Sequence, residues 1–422
     1  MTGTWFGNGL WLAIATSIAL FPLVAPAEYR KPIDPEKARV IDQWTYARRS
    51  NAVPRELVVD PRGLGYLRRP DGSFQPHGHE IPAKVAPGNR AILPFGTPAD
   101  RPTDTDPVDS GSTKTRLRQA PAARTLSATH SDPVGSSGGR IAASEFAYHR
   151  SLQKATGRLF FEMPADAKRT EWRSFVCSGT IATMAPKSVD GTERSVIITA
   201  AHCIYDDVNK VFARNVMFIP AQAGARKSGT DFSCSTDATG CWVPSFGVVN
   251  ENWTTGVFPE NIEWDYGFYV IPDSGAHEGA GSDSILDRAA GSLPVSFRPM
   301  THRDRRDTPY ETEITYALGY SHTGNSPLTY CAEGLTTEDD VNWWLPDCEL
   351  AGGSAGGPWV RPTKSARNPI VSVSSWGRTS NPGIAGPRLD SASAYCVFSR
   401  AMNQPAPATT TGGEAGFAAR CP

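Results

Sequence analysis

The chain has almost no net charge, and this excludes one class of function at the outset. Its 422 residues include 42 Lys and Arg and 43 Asp and Glu, for a formal net charge of −1 at pH 7. A protein that binds nucleic acid through the phosphate backbone needs a surplus of basic side chains. The sequence therefore predicts no nucleic-acid partner.

Clusters of metal-binding side chains are also absent. No Cys-x-x-Cys pair and no group of histidines occurs anywhere in the chain, so we expect no metal site and no bound cofactor. The eight cysteines form an even set and all lie after residue 176. In a secreted chain this pattern indicates disulfide bonds rather than metal ligands.

Long hydrophobic runs are lacking except at the start. The run from Leu10 to Val24 is followed by Ala25-Pro26-Ala27, which predicts a signal peptide at residues 1–27. No basic residue precedes the run, and an uncleaved anchor is the alternative, although the run is short for a membrane span. No later segment is apolar enough to cross a bilayer. We expect a secreted protein, extracellular or periplasmic, without membrane association once the signal is removed.

Residues 28–140 contain no cysteine and little sustained periodicity. They hold fourteen prolines, a composition typical of extended or loosely ordered chain, although Glu36 to Arg49 could form a short helix. We interpret this Pro- and Gly-rich segment as a propeptide that is removed or that covers the functional site. A simple spacer is the alternative.

A histidine follows the clearest strand of the chain. Ser195 to Ile198 is a β-branched, apolar run that predicts a buried strand, and Thr199-Ala200-Ala201-His202-Cys203 comes next. An imidazole at such a strand end is held rigidly, as a general base requires. We predict that His202 is a catalytic base, with a solvated loop histidine as the alternative.

An aspartate opens a second apolar strand. In Trp264-Asp265-Tyr266-Gly267 the carboxylate directly precedes a run that ends at Ile271. A buried carboxylate is costly unless it is paired. Asp265 would accept the imidazole N–H, fix its tautomer and stabilise the imidazolium. Three nearby acidic residues lack such a run directly behind them and are interpreted as surface charges: Glu260, Glu263 and Asp273.

Two further motifs complete a resemblance. They are Gly352-Gly353-Ser354-Ala355-Gly356-Gly357-Pro358 and Val373-Ser374-Ser375-Trp376-Gly377. With the His202 and Asp265 motifs, in that order, they resemble the trypsin- and chymotrypsin-like serine peptidases over residues 155–400. Secreted bacterial members with a Gly-Gly-Xaa-Ser-Gly-Gly-Pro-Trp loop are the most similar, because Trp359 follows Pro358.

The resemblance implies an all-β, chymotrypsin-like double six-stranded β-barrel over residues 141–400. The Pro-rich segment precedes this domain, and a C-terminal tail, residues 401–422, is tied to it by Cys421. The resemblance also implies a protein or peptide substrate and a monomeric chain.

The resemblance assigns the site residue by residue. His202, Asp265 and position 355 would form the triad, and the backbone N–H groups of Gly353 and Ala355 would form the oxyanion hole. The strand Ser375-Trp376-Gly377 would pair with the substrate backbone. The family has serine where this chain has Ala355.

The serine of this loop stands one residue early, at Ser354. A nucleophile must lie roughly 3 Å from its base, and a one-residue shift turns the side chain away from His202. A displaced Ser354 nucleophile remains the alternative. Ala355 is either an engineered replacement of serine or the natural state of a pseudo-enzyme, and the retained His202 and Asp265 favour a recently or deliberately disabled site. We therefore predict a secreted serine endopeptidase that acts through an acyl-enzyme and is silenced by Ala355. The alternative is a non-catalytic binding protein.

The resemblance also implies that Cys177 bridges to Cys203. Proximity along the chain then suggests three further pairs: Cys234–Cys241, Cys331–Cys348 and Cys396–Cys421.

Overall fold

The structure is a computed structural model. It describes the following residues: 1–3, 32–79, 141–142, 144–146, 150–183, 194–221, 232–299, 314–322, 327–337, 341–350, 352–361, 368–380, 382–407 and 415–422. Nearly all of the predicted signal peptide and of the stretch from 80 to 140 lies outside the described residues. Within the described ranges, no helix is both long and apolar enough to cross a membrane.

The N-terminal segment is folded where it is described. Its elements are α1 Pro35–Gln43, α2 Tyr46–Ser50, β1 Val53–Pro54, β2 Glu56–Val59, β3 Gly65–Arg68 and β4 Phe74–Pro76. The expected helix from Glu36 to Arg49 is present in two pieces. Asp34 caps the first by accepting two backbone N–H groups, and Thr45 caps the second by accepting the N–H of Arg48, since side-chain oxygens satisfy the free N–H groups of a helix start.

The expectation of an extended or loosely ordered segment is thus wrong for residues 32–79. Val40, Ile41 and Trp44 are buried in one cluster with residues of the following domain, among them Phe160 and Met217. The Trp44 indole N–H also donates to a backbone oxygen of that domain, 2.6 Å away. Proline content reflects only local chain preferences, whereas the ordered structure of residues 32–79 comes from the burial of apolar side chains against distant residues.

The first half of the domain holds the next elements in chain order. They are β5 Ile141–Ala142, β6 Ser144–Glu145, α3 Arg150–Ala155, β7 Thr156–Pro164, β8 Trp172–Thr183, β9 Arg194–Thr199, β10 Tyr205–Asp206, β11 Val211–Phe212, β12 Arg214–Pro220, β13 Cys241–Trp242, β14 Phe246–Asn250, α4 Glu251–Thr255, β15 Gly267–Pro272, β16 His277–Glu278, α5 Leu286–Ala290 and β17 Leu293–Pro294. Two 3₁₀-helices lie at Ala201–Cys203 and Ile262–Trp264.

Six of these strands form the centre of an 11-stranded sheet, in the order β12-β7-β8-β9-β15-β14. Neighbours in this set pair antiparallel. All nine residues of β7 are buried, because one face lies on the core and the other packs against residues of the N-terminal segment, among them Trp44, which contacts Phe160.

The second half holds the remaining elements. They are β18 Ile314–Tyr320, β19 Leu328–Gly334, β20 Thr336–Thr337, β21 Asn342–Leu345, β22 Cys348–Glu349, β23 Pro358–Val360, β24 Ile370–Val373, β25 Trp376–Arg378, β26 Ile384–Pro387, α6 Ala392–Asn403 and β27 Gly416–Ala419. They form a five-stranded sheet, β24-β23-β18-β19-β6, and a seven-stranded sheet, β20-β21-β26-β25-β2-β3-β4.

The predicted all-β, chymotrypsin-like fold is confirmed in this strand arrangement. The sheets contain more strands than two sets of six, because both ends of the described chain add to them. At one end, β1 pairs with β8 and β2 pairs with β25. At the other end, β27 pairs parallel with β14, and α6 buries Val397 and Phe398 against the first half.

Candidate active site

His202 lies in the 3₁₀-helix that directly follows β9, and it is fully buried. Its backbone N–H donates to Asp265 Oδ1 at 2.8 Å, and its ring Nδ1 lies 2.7 Å from Asp265 Oδ2. A carboxylate only accepts hydrogen bonds, so Nδ1 carries the proton in this contact. The other ring nitrogen, Nε2, is then free to act as an acceptor.

Asp265 follows the second 3₁₀-helix and stands just before β15, with no exposed surface. Besides both His202 donors, it accepts a hydrogen bond of 2.5 Å from Ser375 Oγ. Three donors on one carboxylate offset the cost of burying it. The structure thus brings the three sequence motifs of His202, Asp265 and Ser375 into one hydrogen-bonded network.

Residues 352–358, here called the nucleophile loop after their predicted role, pack against β8 and the end of β9, the strand that precedes His202. Ala355 O accepts the N–H of Ser178 at 2.8 Å, and Ser178 O accepts Thr199 Oγ1 at 2.8 Å. Gly356 has φ +78°, a conformation that L side chains rarely adopt. A Cβ there would lie 1.9 Å from Thr199 Oγ1, so only glycine allows the loop to approach this closely.

Ser354 and Ala355 occupy different environments within this loop. A Cβ added to Gly319 would lie 2.4 Å from the Ser354 Cβ, so Ser354 packs directly onto β18. Among the residues that the structure describes, the buried His202 Nε2 has no hydrogen-bond partner. Ser354 therefore makes no hydrogen bond to the imidazole.

Gly353 adopts φ +99°, and its carbonyl is held by Ser178 Oγ at 2.9 Å. The same Oγ accepts the N–H of Tyr320 at 2.9 Å. Within the described part of the chain, neither the Gly353 nor the Ala355 amide donates a hydrogen bond. Ser178 is a residue that sequence reasoning missed, because a serine beside a cysteine carries no signal without its distant partners.

Comparison with known proteins places this geometry among solved protease structures. No protein family model matches the chain, and no curated protein does. The chain is similar to a thermostable serine protease, AL20, from an extremophilic microorganism, with 22% identity and a TM-score of 0.40 over 57% of this chain and 93% of that chain. Protease Anisep from Arthrobacter nicotinovorans is 23% identical, with a TM-score of 0.39 over 56% and 90% of the two chains. A Glu endopeptidase is 14% identical, with a TM-score of 0.41 over 63% and 98%.

The described strands have the all-β, chymotrypsin-like arrangement that the sequence predicts. Similarity to solved structures at this level shows neither an activity nor a substrate for this chain.

The peptidase fold of this chain contains four disulfide bonds: Cys177–Cys203, Cys234–Cys241, Cys331–Cys348 and Cys396–Cys421. The Cys177–Cys203 bridge joins β8 to the residue after His202. Because Ser178 follows Cys177, the bridge links the neighbour of His202 to the neighbour of Ser178, which holds the Gly353 carbonyl.

One group of possible metal ligands occurs among the described residues, at Cys177, His202 and Cys203. Both sulfurs are joined in a disulfide, and His202 Nδ1 is bonded to Asp265. This donor set does not fit a metal ion, since coordinating sulfur must be a thiolate.

A cavity of about 400 Å³ lies beside the nucleophile loop. Ala355, Ser374 and the strand Ser375-Trp376-Gly377 line it, together with Glu56 and Leu57 of the N-terminal segment. Two residues of the segment that the sequence predicts to be removed or to cover the functional site thus line the cavity.

Glu56 Oε1 lies 3.1 Å from Arg68 Nη1. Burial raises the pKa of Glu56, and the charges of Arg68, His322 and His202 act in the opposite direction. An acidic side chain of the N-terminal segment therefore stands close to His202.

Proposed function

We propose that this protein is a secreted serine endopeptidase whose turnover is silenced by Ala355. The observation that carries the proposal is the His202–Asp265 pair, with a proton on Nδ1 and Nε2 left without a partner. A base in this state can accept a proton from a hydroxyl placed at position 355.

We propose that a serine at position 355 would act through the following steps. His202 Nε2 would take the hydroxyl proton while Oγ attacks the peptide carbonyl, and Asp265 would stabilise the imidazolium. The amides of Gly353 and residue 355 would donate to the oxyanion. His202 would then pass its proton to the leaving amine, and water would release the acyl group by the same route.

Alanine at this position removes the bond-forming atom but leaves the other groups in place. Loss of such a nucleophile lowers turnover by a factor on the order of 10⁶. Within the described residues, the Gly353 and Ala355 amides donate no hydrogen bond. This supports the proposal, because an oxyanion hole built from backbone amides does not depend on the side chain at position 355.

The test is Ala355→Ser. We expect it to restore cleavage of denatured casein and covalent labelling by a fluorophosphonate, because both require a serine activated by His202. The matched control is Ala355→Ser with Ser354→Ala, which should keep both activities. A restored protein that is inert and unlabelled would refute the endopeptidase assignment, and labelling of the unchanged chain at Ser354 would identify the displaced serine as the nucleophile.

A non-catalytic binding protein with a peptidase fold is the second candidate. The feature that favours it is Ala355 beside an otherwise complete site. In the described structure, however, the edge of the Ser375-Trp376-Gly377 strand is already paired with β2. Peptide capture there requires an edge that this chain occupies itself.

We further propose secretion, with residues 1–27 as signal peptide and residues 28–140 as propeptide. Four disulfides are typical of an oxidising compartment such as the periplasm or the extracellular space. The proposed peptidase domain spans 141–400, with a tail, 401–422, that Cys421 ties to α6. We propose that the protein is a monomer and that its partner is a protein or peptide substrate.

A further inference from the structure

We propose that residues 53–59, here called the blocking strand, occupy the substrate cleft of the intact chain and must leave before a peptide can bind. This inference concerns regulation of the site and rests on the function proposed above.

The blocking strand crosses the whole cleft. At one end, β1 pairs with β8 through Val53↔Phe175 and Pro54↔Val176, just before the disulfide beside His202. At the other end, β2 pairs with β25, which begins directly after Ser375. Both pairings are parallel. Because β1 pairs with the first half and β2 with the second, one continuous stretch bridges the two halves of the molecule.

Between these ends the strand passes the nucleophile loop. A Cβ built on Gly352 would lie 3.1 Å from Pro54 side-chain atoms and 3.1 Å from Glu56 Oε2. Gly352 directly precedes Gly353, the first proposed oxyanion donor. The side chain of Glu56 is 23% exposed, whereas His202 is fully buried. The strand therefore helps to close the site.

The strand takes the edge that a substrate would use. Leu57 lies opposite Trp376 and Val58 opposite Gly377, while the other edge of β25 pairs with β26. A peptide that binds by adding a strand needs a free edge. With both edges of β25 paired, no such edge is available until β2 leaves.

Side chains before, within and after the strand hold the segment against the first half of the domain. Before the strand, Trp44 is buried in the first half. After it, His77 Nε2 lies 2.8 Å from the buried Asp207 Oδ1. Arg55, within the strand, lies over the Phe175 ring.

Arg55 packs on an aromatic ring, but its guanidinium is incompletely hydrogen-bonded. Arg55 is 2% exposed, yet its Nε and Nη2 atoms make no hydrogen bond within the described structure. Its ion-pair distance to Asp206 Oδ2 is 3.6 Å. A buried, poorly bonded guanidinium costs free energy, which fits a segment that is released rather than a permanent one.

The opposing interpretation is that the strand is a lasting wall of the substrate pocket. Glu56 and Leu57 do line the cavity. The two interpretations predict opposite effects when the strand is displaced, because a wall supports peptide binding whereas a blocking strand prevents it.

The first experiment measures backbone hydrogen exchange in the Ala355 chain and needs no catalysis. Leu57→Asp places a charge at a fully buried position and should displace the strand. We expect the β25 amides that lose their β2 partners to exchange about tenfold faster or more. Equal exchange in parent and variant, with both proteins folded, would show that the β25 edge is already open and would overturn the proposal.

A second variant guards against misfolding of the first. Trp44→Ala removes a buried anchor outside the cleft and should also speed exchange at β25. Tyr46→Ala, in the same segment, removes an aromatic ring that is 45% exposed and should leave exchange unchanged. If Tyr46→Ala speeds exchange as much as Trp44→Ala, anchoring by buried contacts is refuted.

The second experiment uses the Ala355→Ser background. We expect Leu57→Asp to raise the rate of casein cleavage by about tenfold, since apparent affinity scales with the fraction of open cleft. If the variant is labelled by fluorophosphonate but cleaves casein no faster than its parent, the strand is a pocket wall and the proposal fails. If neither protein is labelled, the endopeptidase function fails, and the exchange experiment alone decides whether the strand covers the cleft.

Discussion

Ser178 offers a sharp test of how the nucleophile loop is held. Its Oγ donates to Gly353 O and accepts the N–H of Tyr320, at 2.9 Å in both cases, and the residue is fully buried. Ser178→Ala would remove one hydrogen bond from a buried carbonyl and one from a buried N–H.

The expected cost follows from those two groups. A lost hydrogen bond to a buried group costs roughly 1–3 kcal/mol, so we expect the two losses in Ser178→Ala to lower the free energy of unfolding by about 2–6 kcal/mol. In the Ala355→Ser background it should also lower kcat, because the Gly353 carbonyl, and with it the proposed oxyanion donor, is no longer held. The substrate strand is untouched, so KM should change less.

The assay is urea denaturation of the Ala355 chain followed by intrinsic fluorescence, with Ser235→Ala as the control. Ser235 is exposed, and a surface change of this kind is usually within about 0.5 kcal/mol of neutral. If Ser178→Ala also falls within that range and leaves kcat unchanged, Ser178 does not support the loop.

Three further predictions concern stability. Replacing Cys177 and Cys203 together by serine should cost about 2–5 kcal/mol, and recovery of Cys177 as a free thiol in non-reducing peptide mapping would refute the premise. The pKa of Asp207 is lowered to about 2, against its desolvation, chiefly by the charge and hydrogen bond of its buried histidine partner. The contribution of the Asp207 carboxylate to stability should be complete above about pH 4 and lost as the pH falls through 2. Asp207→Asn should flatten this part of a pH titration of the free energy of unfolding. An unchanged slope would contradict the assignment. Burial raises the pKa of Glu333 to about 7, although the Asp347 N–H opposes the shift, so stability should fall as the pH rises from about 4.5 to 7. Glu333→Gln should therefore gain stability relative to its parent at pH 8 and not at pH 4, a gain that chemical denaturation at both pH values would detect.

The sequence motifs of His202 and Asp265, which the structure brings into hydrogen-bond contact, were easier to recognise than their surroundings, for a physical reason. His202 follows a buried strand and Asp265 precedes one, so a short motif contains both the strand pattern and the polar side chain. The role of the glycines in the nucleophile loop can also be recognised from the local sequence, because Gly353 and Gly356 adopt positive φ. Ser178 could not be found this way because its partners come from two distant segments.

The fold of the N-terminal segment could not be predicted for the same reason, because local sequence patterns do not reveal contacts with distant residues. Prolines and charged residues give residues 32–79 the composition of an irregular chain. Their order depends on Trp44, Leu57 and His77, which lie against residues more than a hundred positions away. A composition argument detects none of these contacts, so it predicted an extended or loosely ordered segment.

The pairing of β27 with β14 has a consequence for how the molecule folds. Gly247 lies opposite Gly416, so these two strands are separated by about 170 residues of chain, and contacts of such separation form slowly. During synthesis, the edge of β14 stays open until the entire second half has been made, and an open edge invites pairing with other chains. Closure of Cys396–Cys421, which joins α6 to the residues just after β27, then makes this late strand hard to detach. The final residues of the described chain thus complete a sheet that the first half began.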